Sequence, residues 1–179
     1  MSDLITMTVA TQLKKARSEK GWSLDVTSQH CGVSKAMLGQ IERGESSPTI
    51  ARLWKIATGF SLPLSDFLGQ DHKQDLANKF VEDEKISIET IFEYDQTTRM
   101  EMFNLYFAVA HEQRSEPHQT GVIEHIVVTL GSMEYFIDGE WKLLNVGDKA
   151  KFFADQEHGY RNVGDTPLQF LNIIYYPSE

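Results

Sequence analysis

Several features are scarce in this chain of 179 residues, and each absence excludes a class of protein. Cys31 is the single cysteine, so no internal disulfide can form. No apolar run approaches the roughly 20 residues of a membrane span, and no charged-then-apolar leader opens the chain. Internal repeats and low-complexity tracts are also missing. We therefore expect a cytoplasmic globular protein with no membrane partner and no nucleotide cofactor.

Positive charge is scarce as well, with 17 Lys and Arg residues against 26 Asp and Glu residues and a net charge of −9. The imbalance is confined to one part of the chain. Residues 1–70 hold eight basic and six acidic side chains, a balance of +2, whereas residues 71–179 hold nine and twenty, a balance of −11. The length allows two small domains. A weakly basic first domain can bind DNA through one face, with an affinity that falls as salt rises.

The stretch 21–44 predicts two short helices joined by a turn, preceded by a first helix over residues 8–20 and a loose tail over 1–7. Ser23 and Ser34 each precede an apolar-periodic segment and can cap a helix N-terminus. Gly32 lies between the two segments and can adopt a left-handed conformation at little steric cost.

The second of these helices has one apolar and one polar face. Leu38 and Ile41 lie three residues apart and point into a core. Three residues then face outward: Lys35, Ala36 and Gln40. Two capped helices with one polar outer face are typical of a helix-turn-helix, whose second helix enters the DNA major groove.

Residues 11–68 resemble a lambda-repressor-like (XRE-type) DNA-binding domain of five helices. The matching segments are LKKAR at 13–17, GWSL at 21–24, GVS at 32–34, IERG at 41–44, PT at 48–49 and LWKIA at 53–57. Ser28 and Gly39 are mild departures. The resemblance implies that a domain over residues 8–69 binds operator DNA as a homodimer. The candidate DNA-contacting residues are Ser23, Ser34, Lys35, Ala36, Met37, Gln40, Arg43, Ser46 and Ser47.

The same resemblance implies an ion pair between Arg17 on the first helix and Glu42 near the end of the recognition helix. The alternative is that both are ordinary surface charges. In the loop that follows, Arg43, Ser46 and Ser47 are candidate phosphate contacts, because such loops lie beside the DNA backbone. The alternative for each serine is a solvated loop with no partner.

Residues 70–84 are polar and charged, which predicts a linker. From residue 85 onward the helical periodicity gives way to alternation, with glycine-containing turns between short runs. The principal runs are 86–91, 100–107, 122–130, 133–137, 141–145, 149–153 and 168–176. Asp138-Gly139 between two runs is a strong hairpin signal. The fold class is therefore α + β multidomain, with a five-helix bundle followed by an antiparallel β-barrel or sandwich over residues 85–179.

Two segments of this second domain resemble the paired motifs of the cupin fold, a double-stranded β-helix. The first runs from His118 through Glu124 to Gly131, and the second from Gly147 through His158 to Asn162. The resemblance implies that His118, Glu124 and His158 ligate a divalent metal. Thr120 stands where a second histidine is usual, and Phe153 and Asp155 replace the usual proline and glycine.

Even spacing places His118, Thr120 and Glu124 on one face of an unbroken strand, while His125 points the other way unless a bulge intervenes. Two imidazoles and one carboxylate suit Zn, Ni, Mn or Fe. The alternative is a metal-free pocket in which these side chains bind a ligand or each other. The candidate pocket residues are Thr120, His125, Tyr160, Arg161, Tyr106 and Phe152.

The two domains together resemble the XRE–cupin family of bacterial regulators. This implies a sequence-specific DNA-binding regulator whose cupin domain senses a small molecule, such as a sulfur compound or an amino acid. The first alternative is a metal-dependent cupin dioxygenase or isomerase with a DNA-binding appendage. The second is a protein-interaction module whose helix-turn-helix no longer binds DNA.

Overall fold

The computed structural model describes residues 2–68 and 85–178. The chain divides into two compact units, Met1–Glu82 and Asp83–Glu179. The linker predicted over residues 70–84 lies outside the described residues. None of the helices in the described ranges combines the length and apolar character that crossing a membrane requires.

The first unit contains five helices, as the resemblance to the lambda-repressor-like domain implies. They are α1 (Ser2–Glu19), α2 (Leu24–Cys31), α3 (Lys35–Glu42), α4 (Ile50–Phe60) and α5 (Ser65–Leu68). The first helix begins six residues earlier than predicted. Residues before Thr8 carry no apolar periodicity, but the sulfur of Met7 lies so close to Gly44 that a Cβ there would be 2.9 Å away. A long-range contact of this kind leaves no mark on the local pattern.

Side-chain caps begin the helices at the predicted residues. The Ser23 hydroxyl accepts from the Val26 amide at 3.2 Å, and the Ser34 hydroxyl accepts from the Met37 amide at 3.3 Å. Gly32 ends α2 with φ 62°. The turn between α2 and α3 is therefore determined by local chemistry that the sequence alone shows.

An ion pair joins α1 to α3 at the edge of the helical core. The Arg17 guanidinium donates from Nε to Glu42 Oε1 at 2.6 Å and from Nη2 to Glu42 Oε2 at 2.9 Å. Its Nη1 donates to the Trp22 carbonyl at 2.9 Å. The hydrogen bond to Glu42 raises the pKa of Arg17. Two parallel bonds to a largely buried carboxylate hold the two helices at a defined distance. The fully buried apolar residues beneath include Leu13, Leu38, Ile41, Leu53, Ile56, Phe60 and Phe67.

The second unit is built from two antiparallel sheets. Its strands are β1 (Ile86–Asp95), β2 (Met100–Phe107), β3 (Glu112–Ser115), β4 (Ile123–Leu130), β5 (Ser132–Ile137), β6 (Glu140–Asn145), β7 (Lys149–Phe153), β8 (His158–Asn162) and β9 (Leu168–Tyr175). One sheet has the order β1-β2-β9-β4-β7 and the other β3-β8-β5-β6. The strands β3 and β8 were not among the predicted runs, because neither has an apolar alternation of its own.

The inner faces of the two sheets pack against each other through aromatic rings. Phe152 of the five-stranded sheet stacks on Tyr135 of the four-stranded sheet with ring centroids 5.7 Å apart, and Phe170 lies 5.2 Å from Tyr160. The predicted hairpin joins β5 to β6, and Asp138 and Gly139 both have positive φ, at 56° and 79°. Two left-handed residues in a two-residue loop match the right-handed twist of the strands.

Candidate functional site

Three side chains with metal-ligating atoms converge between the two sheets, and we call them the His–Glu–His cluster (His118, Glu124 and His158). Glu124 lies on β4 and His158 at the start of β8, and both are buried. His118 Nε2 lies 3.1 Å from Glu124 Oε1, and His158 Nε2 lies 3.4 Å from the same oxygen. One ligand atom from each residue lies within 4.8 Å of the other two.

His118 reaches this cluster from the irregular segment between β3 and β4 and not from a strand. The segment before β4 turns at Gly121, where φ is 88° and the amide donates to Asp155 Oδ2 at 2.9 Å. The prediction from even spacing assumed an unbroken strand, and the turn removes that basis. Thr120, which stands where the cupin motif usually has a second histidine, is exposed and is not part of the cluster.

Two further side chains orient the Glu124 carboxylate. The Tyr160 hydroxyl and the Asn172 amide both donate to Oε2, the latter at 2.8 Å, which leaves Oε1 facing the two imidazoles. Asn172 was missed at the sequence level. A signal was available, because it is a polar residue at an inward position of the apolar run 168–175.

The ring of His158 is oriented by the backbone. Its Nδ1 lies 2.9 Å from the Gln156 carbonyl, which accepts a hydrogen bond from Nδ1, and this contact turns Nε2 towards Glu124. Burial favours the neutral ring, but the Glu124 charge and hydrogen bonds outweigh it and raise the pKa of His158. Burial likewise opposes the ionised form of Glu124, yet the two histidines hold the pKa of its carboxyl well below its usual range.

The donor set and its spacing fit a divalent metal. Bonds of about 2.1 Å at tetrahedral or octahedral angles place neighbouring ligand atoms roughly 3.0–3.5 Å apart, as the two cluster distances do. The outer contacts from Gln156, Tyr160 and Asn172 are of the kind that fix metal ligands in place. Three protein ligands leave coordination positions for water or for a small molecule.

The remaining predicted pocket residues divide between the two faces of the sheets. Phe152 and Tyr160 are buried inside, and the Phe152 ring lies 5.9 Å from that of His158. His125 lies on the outer face, because β4 pairs with β7 without a bulge from Ile123 to Val127. Burial and the Glu124 charge raise the pKa of Tyr160 well above its ordinary value.

Tyr106 and Arg161 also face away from the cluster, which corrects the prediction that they line the pocket. On the outer face of the five-stranded sheet, the Tyr106 hydroxyl donates to Glu89 of β1, 3.2 Å away. The Arg161 guanidinium lies over the Trp141 ring at 4.1 Å and pairs with Glu134 at 2.5 Å. Strict alternation along β2 and β8 decides both orientations.

The outward side chains of α3 form a separate surface, the recognition edge (Lys35, Ala36 and Gln40). All three are exposed, while Leu38 and Ile41 on the opposite side of the helix are fully buried. No acidic side chain lies in the first turn of α3. The positive end of the helix dipole is therefore unopposed within the helix where DNA phosphates would approach.

The other predicted DNA contacts surround this edge. Ser23 and Ser34 are exposed caps, and Ser46 Oγ lies 3.9 Å from the Met37 sulfur. The Lys35 ammonium pairs with Asp25 at 2.7 Å, and both groups are exposed. Such a surface pair contributes little stability, so a phosphate can displace it. Ser47, the other predicted contact in the loop before α4, is half-buried.

Arg43 lies beside the recognition edge, and its guanidinium is paired with Glu45, two residues further along the chain. Its Nε and Nη2 donate to the two Glu45 oxygens at 2.8 and 2.7 Å. The hydrogen bond to Arg43 lowers the pKa of Glu45, which stays ionised at neutral pH.

Family models match both parts of the chain. The model described as helix-turn-helix (HTH_3) matches residues 13–67, and the model described as cupin domain (Cupin_2) matches residues 105–174. The HTH-type transcriptional regulator SutR of Escherichia coli (strain K12) is 43% identical over 169 residues, which cover 94% of this chain and 95% of that protein.

Solved structures agree with these matches. An HTH_3 family transcriptional regulator from Vibrio cholerae is 46% identical, covers 99% of this chain and all of its own, and superimposes with a TM-score of 0.89. The Cupin_2 domain of an XRE family transcriptional regulator from Enterobacter cloacae is 36% identical over 53% of this chain and all of its own, with a TM-score of 0.52.

Proposed function

This chain belongs to the HTH_3 (XRE-type) family of transcriptional regulators with a C-terminal cupin domain, and we propose that its two units have separate functions, DNA binding and sensing. The recognition edge reads operator DNA as part of a homodimer, and the His–Glu–His cluster forms the centre of a small-molecule sensor. Like its named relatives, the chain is a transcriptional regulator and not an enzyme.

The exposure of the recognition edge supports the DNA-reading role. Gln40 carries an amide that can bond two positions of an adenine edge in the major groove. Arg43 lies one residue beyond α3, where a cation contacts phosphate and not bases. The acidic second half of the chain confines any attraction for DNA to the helical unit, since residues 71–179 carry a balance of −11.

Paired substitutions test this division. Gln40→Ala should weaken binding to the operator by about 1–3 kcal/mol at one base position and leave binding to random DNA unchanged. Arg43→Ala should weaken both by similar factors and reduce the salt dependence. Fluorescence anisotropy at two salt concentrations measures both quantities. Equal losses on operator and random DNA for Gln40→Ala would remove this residue from the base-reading set.

The sensor role rests on one observation, the convergence of two imidazole nitrogens on one oxygen of a buried and fully oriented carboxylate. A bound Zn, Ni, Mn or Fe ion would supply a Lewis-acidic anchor for an oxygen, nitrogen or sulfur atom of the effector. His118 Nε2, Glu124 Oε1 and His158 Nε2 would hold that ion, while Tyr160 and Asn172 keep the carboxylate in place. A sulfur compound or an amino acid has suitable donor atoms.

An effector alters DNA binding only if it favours one arrangement of the dimer over another. His158→Ala should therefore leave basal operator binding intact while abolishing the response to the effector. Isothermal titration with Zn²⁺ and Ni²⁺, followed by operator binding with candidate sulfur compounds and amino acids, measures both steps. Loss of basal operator binding in a folded His158→Ala variant would contradict the separation of the two roles.

A further inference from the structure

The outer face of the five-stranded sheet is apolar over most of its area and remains partly exposed. Phe92, Phe153 and Met100 are 66%, 56% and 39% exposed, which is unusual for large apolar side chains that share one sheet face. Between them, every strand contributes half-exposed apolar residues to the same face. These are Met102, Leu171, Ile173, Tyr175, Ile123 and Val127.

The cross-strand register arranges these residues in three rows. The first row is Asp95, Met100, Tyr175, Ile123 and Phe153; the second is Phe92, Met102, Ile173, His125 and Lys151; the third is Glu89, Asn104, Leu171, Val127 and Lys149. Strand and residue spacings give a patch of roughly 24 by 20 Å, on the order of 500 Å² per copy. An exposed apolar patch of this size marks an interaction site, and two copies together bury about 1,000 Å², the minimum for a specific protein interface.

Charge on this face is confined to its two long edges, and the edges differ in sign. The β1 edge carries Glu89 and Asp95, and the β7 edge carries Lys149 and Lys151. Asp95 Oδ1 accepts from the amides of Thr97 and Thr98, and these bonds lower its pKa, so the edge stays negative at neutral pH. One edge is therefore complementary to the other.

We propose that this face binds a second copy of the chain about a two-fold axis parallel to the strands. Such an axis reverses the strand order, so β1 of one copy lies over β7 of the other while β9 lies over β9. Glu89 then faces Lys149 of the second copy in the same row. A two-fold axis perpendicular to the strands would instead place like charges over like. The charge pattern selects the first arrangement.

This inference deepens the proposed function, because that function requires two helix-turn-helix units on one operator. It assigns the pairing to the second unit and predicts a dimer in the absence of DNA. A chain that dimerises through this face but binds no DNA would refute the proposed function and leave the inference standing. A chain that binds its operator but does not dimerise through this face would do the reverse.

Sedimentation velocity without DNA tests the interface. Ile173 lies on the central strand, where the axis brings it against its own counterpart, so Ile173→Glu places two carboxylates together in an apolar contact. We expect a dimer for the unmodified chain and at least a tenfold rise in the dissociation constant for Ile173→Glu. The matched control is Leu143→Glu, the same type of change at a residue 56% exposed on the other sheet, which should leave the dimer intact.

A charge exchange at the rim gives a second measurement that does not depend on Ile173→Glu folding. Lys149→Glu alters an exposed side chain and should weaken the dimer about tenfold, because the pair occurs twice. Adding Glu89→Lys to Lys149→Glu should restore dimerisation to within about threefold. A monomeric unmodified chain, an unweakened Lys149→Glu dimer or a double variant without recovery would each overturn the proposal.

Discussion

Gly59 of α4 packs directly against Cys31 at the end of α2. A Cβ at residue 59 would lie 2.6 Å from Cys31 Sγ, 2.7 Å from Cys31 Cα and 2.8 Å from the His30 carbonyl oxygen. Two of these three atoms belong to the backbone of α2 and cannot rotate away. The close approach of α4 to α2 therefore requires that residue 59 have no Cβ. The same contact fixes the position of α2, the helix before the recognition edge.

We expect Gly59→Ala to destabilise the helical unit by about 1–3 kcal/mol. Alanine favours a helix over glycine by up to about 1 kcal/mol, but the overpacking against α2 exceeds that gain. Chemical denaturation followed by the helical far-UV signal measures the change.

Gly39→Ala is the matched control, because Gly39 is also a helical glycine. Its added Cβ would meet the flexible end of Arg43 at 3.1 Å and Leu24 Cδ1 at 3.8 Å. The arginine can move, so we expect unchanged or increased stability. Equal losses for both variants would show that the close approach at residue 59 is not the cause.

Cys31 should resist alkylation in the folded protein. Burial raises the pKa of its thiol to about 12, and the side chain is 4% exposed. At pH 8 the thiolate fraction is on the order of a thousandfold below that of a free cysteine. Mass spectrometry after iodoacetamide treatment should find an unmodified native chain and a fully modified chain in guanidinium chloride. Rapid native modification would show that α2 and α4 separate readily.

Removing one partner of the Arg17–Glu42 pair should cost about 2–4 kcal/mol of unfolding free energy. Arg17→Met leaves the Glu42 carboxylate, whose side chain is 9% exposed, without its bidentate donor. The double variant Arg17→Met/Glu42→Leu should recover much of the loss, since no buried charge remains unpaired. Additive losses in this double-mutant cycle would show that the two charges act independently.

Tyr160→Phe should lower Zn²⁺ or Ni²⁺ affinity by about 10- to 100-fold. It removes the hydroxyl that holds Glu124 Oε2 and so loosens the carboxylate that faces the two histidines. Tyr135→Phe makes the same chemical change at the inward residue paired with Tyr160 on the neighbouring strand and should have little effect. Competition titration with a chromophoric chelator measures both variants. Equal affinities for both would deny Tyr160 a positioning role.

Glu45→Gln should strengthen binding to all DNA sequences by about two- to fivefold. It releases the Arg43 guanidinium from its exposed pair and removes one negative charge beside the recognition edge. Glu19→Gln makes the same charge change at an exposed residue at the end of α1 and serves as the control. A gain of the same size for Glu19→Gln would show that the stronger binding comes from the change in net charge alone and not from release of Arg43.

Much of the architecture was predictable because it depends on local chemistry. Caps at Ser23 and Ser34, the glycine turn at Gly32 and the Asp138-Gly139 hairpin each depend on neighbouring residues. The strand runs from residue 122 onward follow the period-two alternation to within a residue or two. The resemblance to the cupin motifs also identified His118, Glu124 and His158, three residues that the structure brings together.

Tertiary structure alone decided which of the remaining candidates belong near that cluster. Alternation shows that two faces exist but does not say which one faces the other sheet, and so Tyr106 and Arg161 were placed inside although they lie outside. Asn172 entered the site from a strand 48 residues beyond Glu124, a partnership that no local pattern can specify. The sequence by itself determined the elements and the two domains. Long-range packing determined which side chains meet.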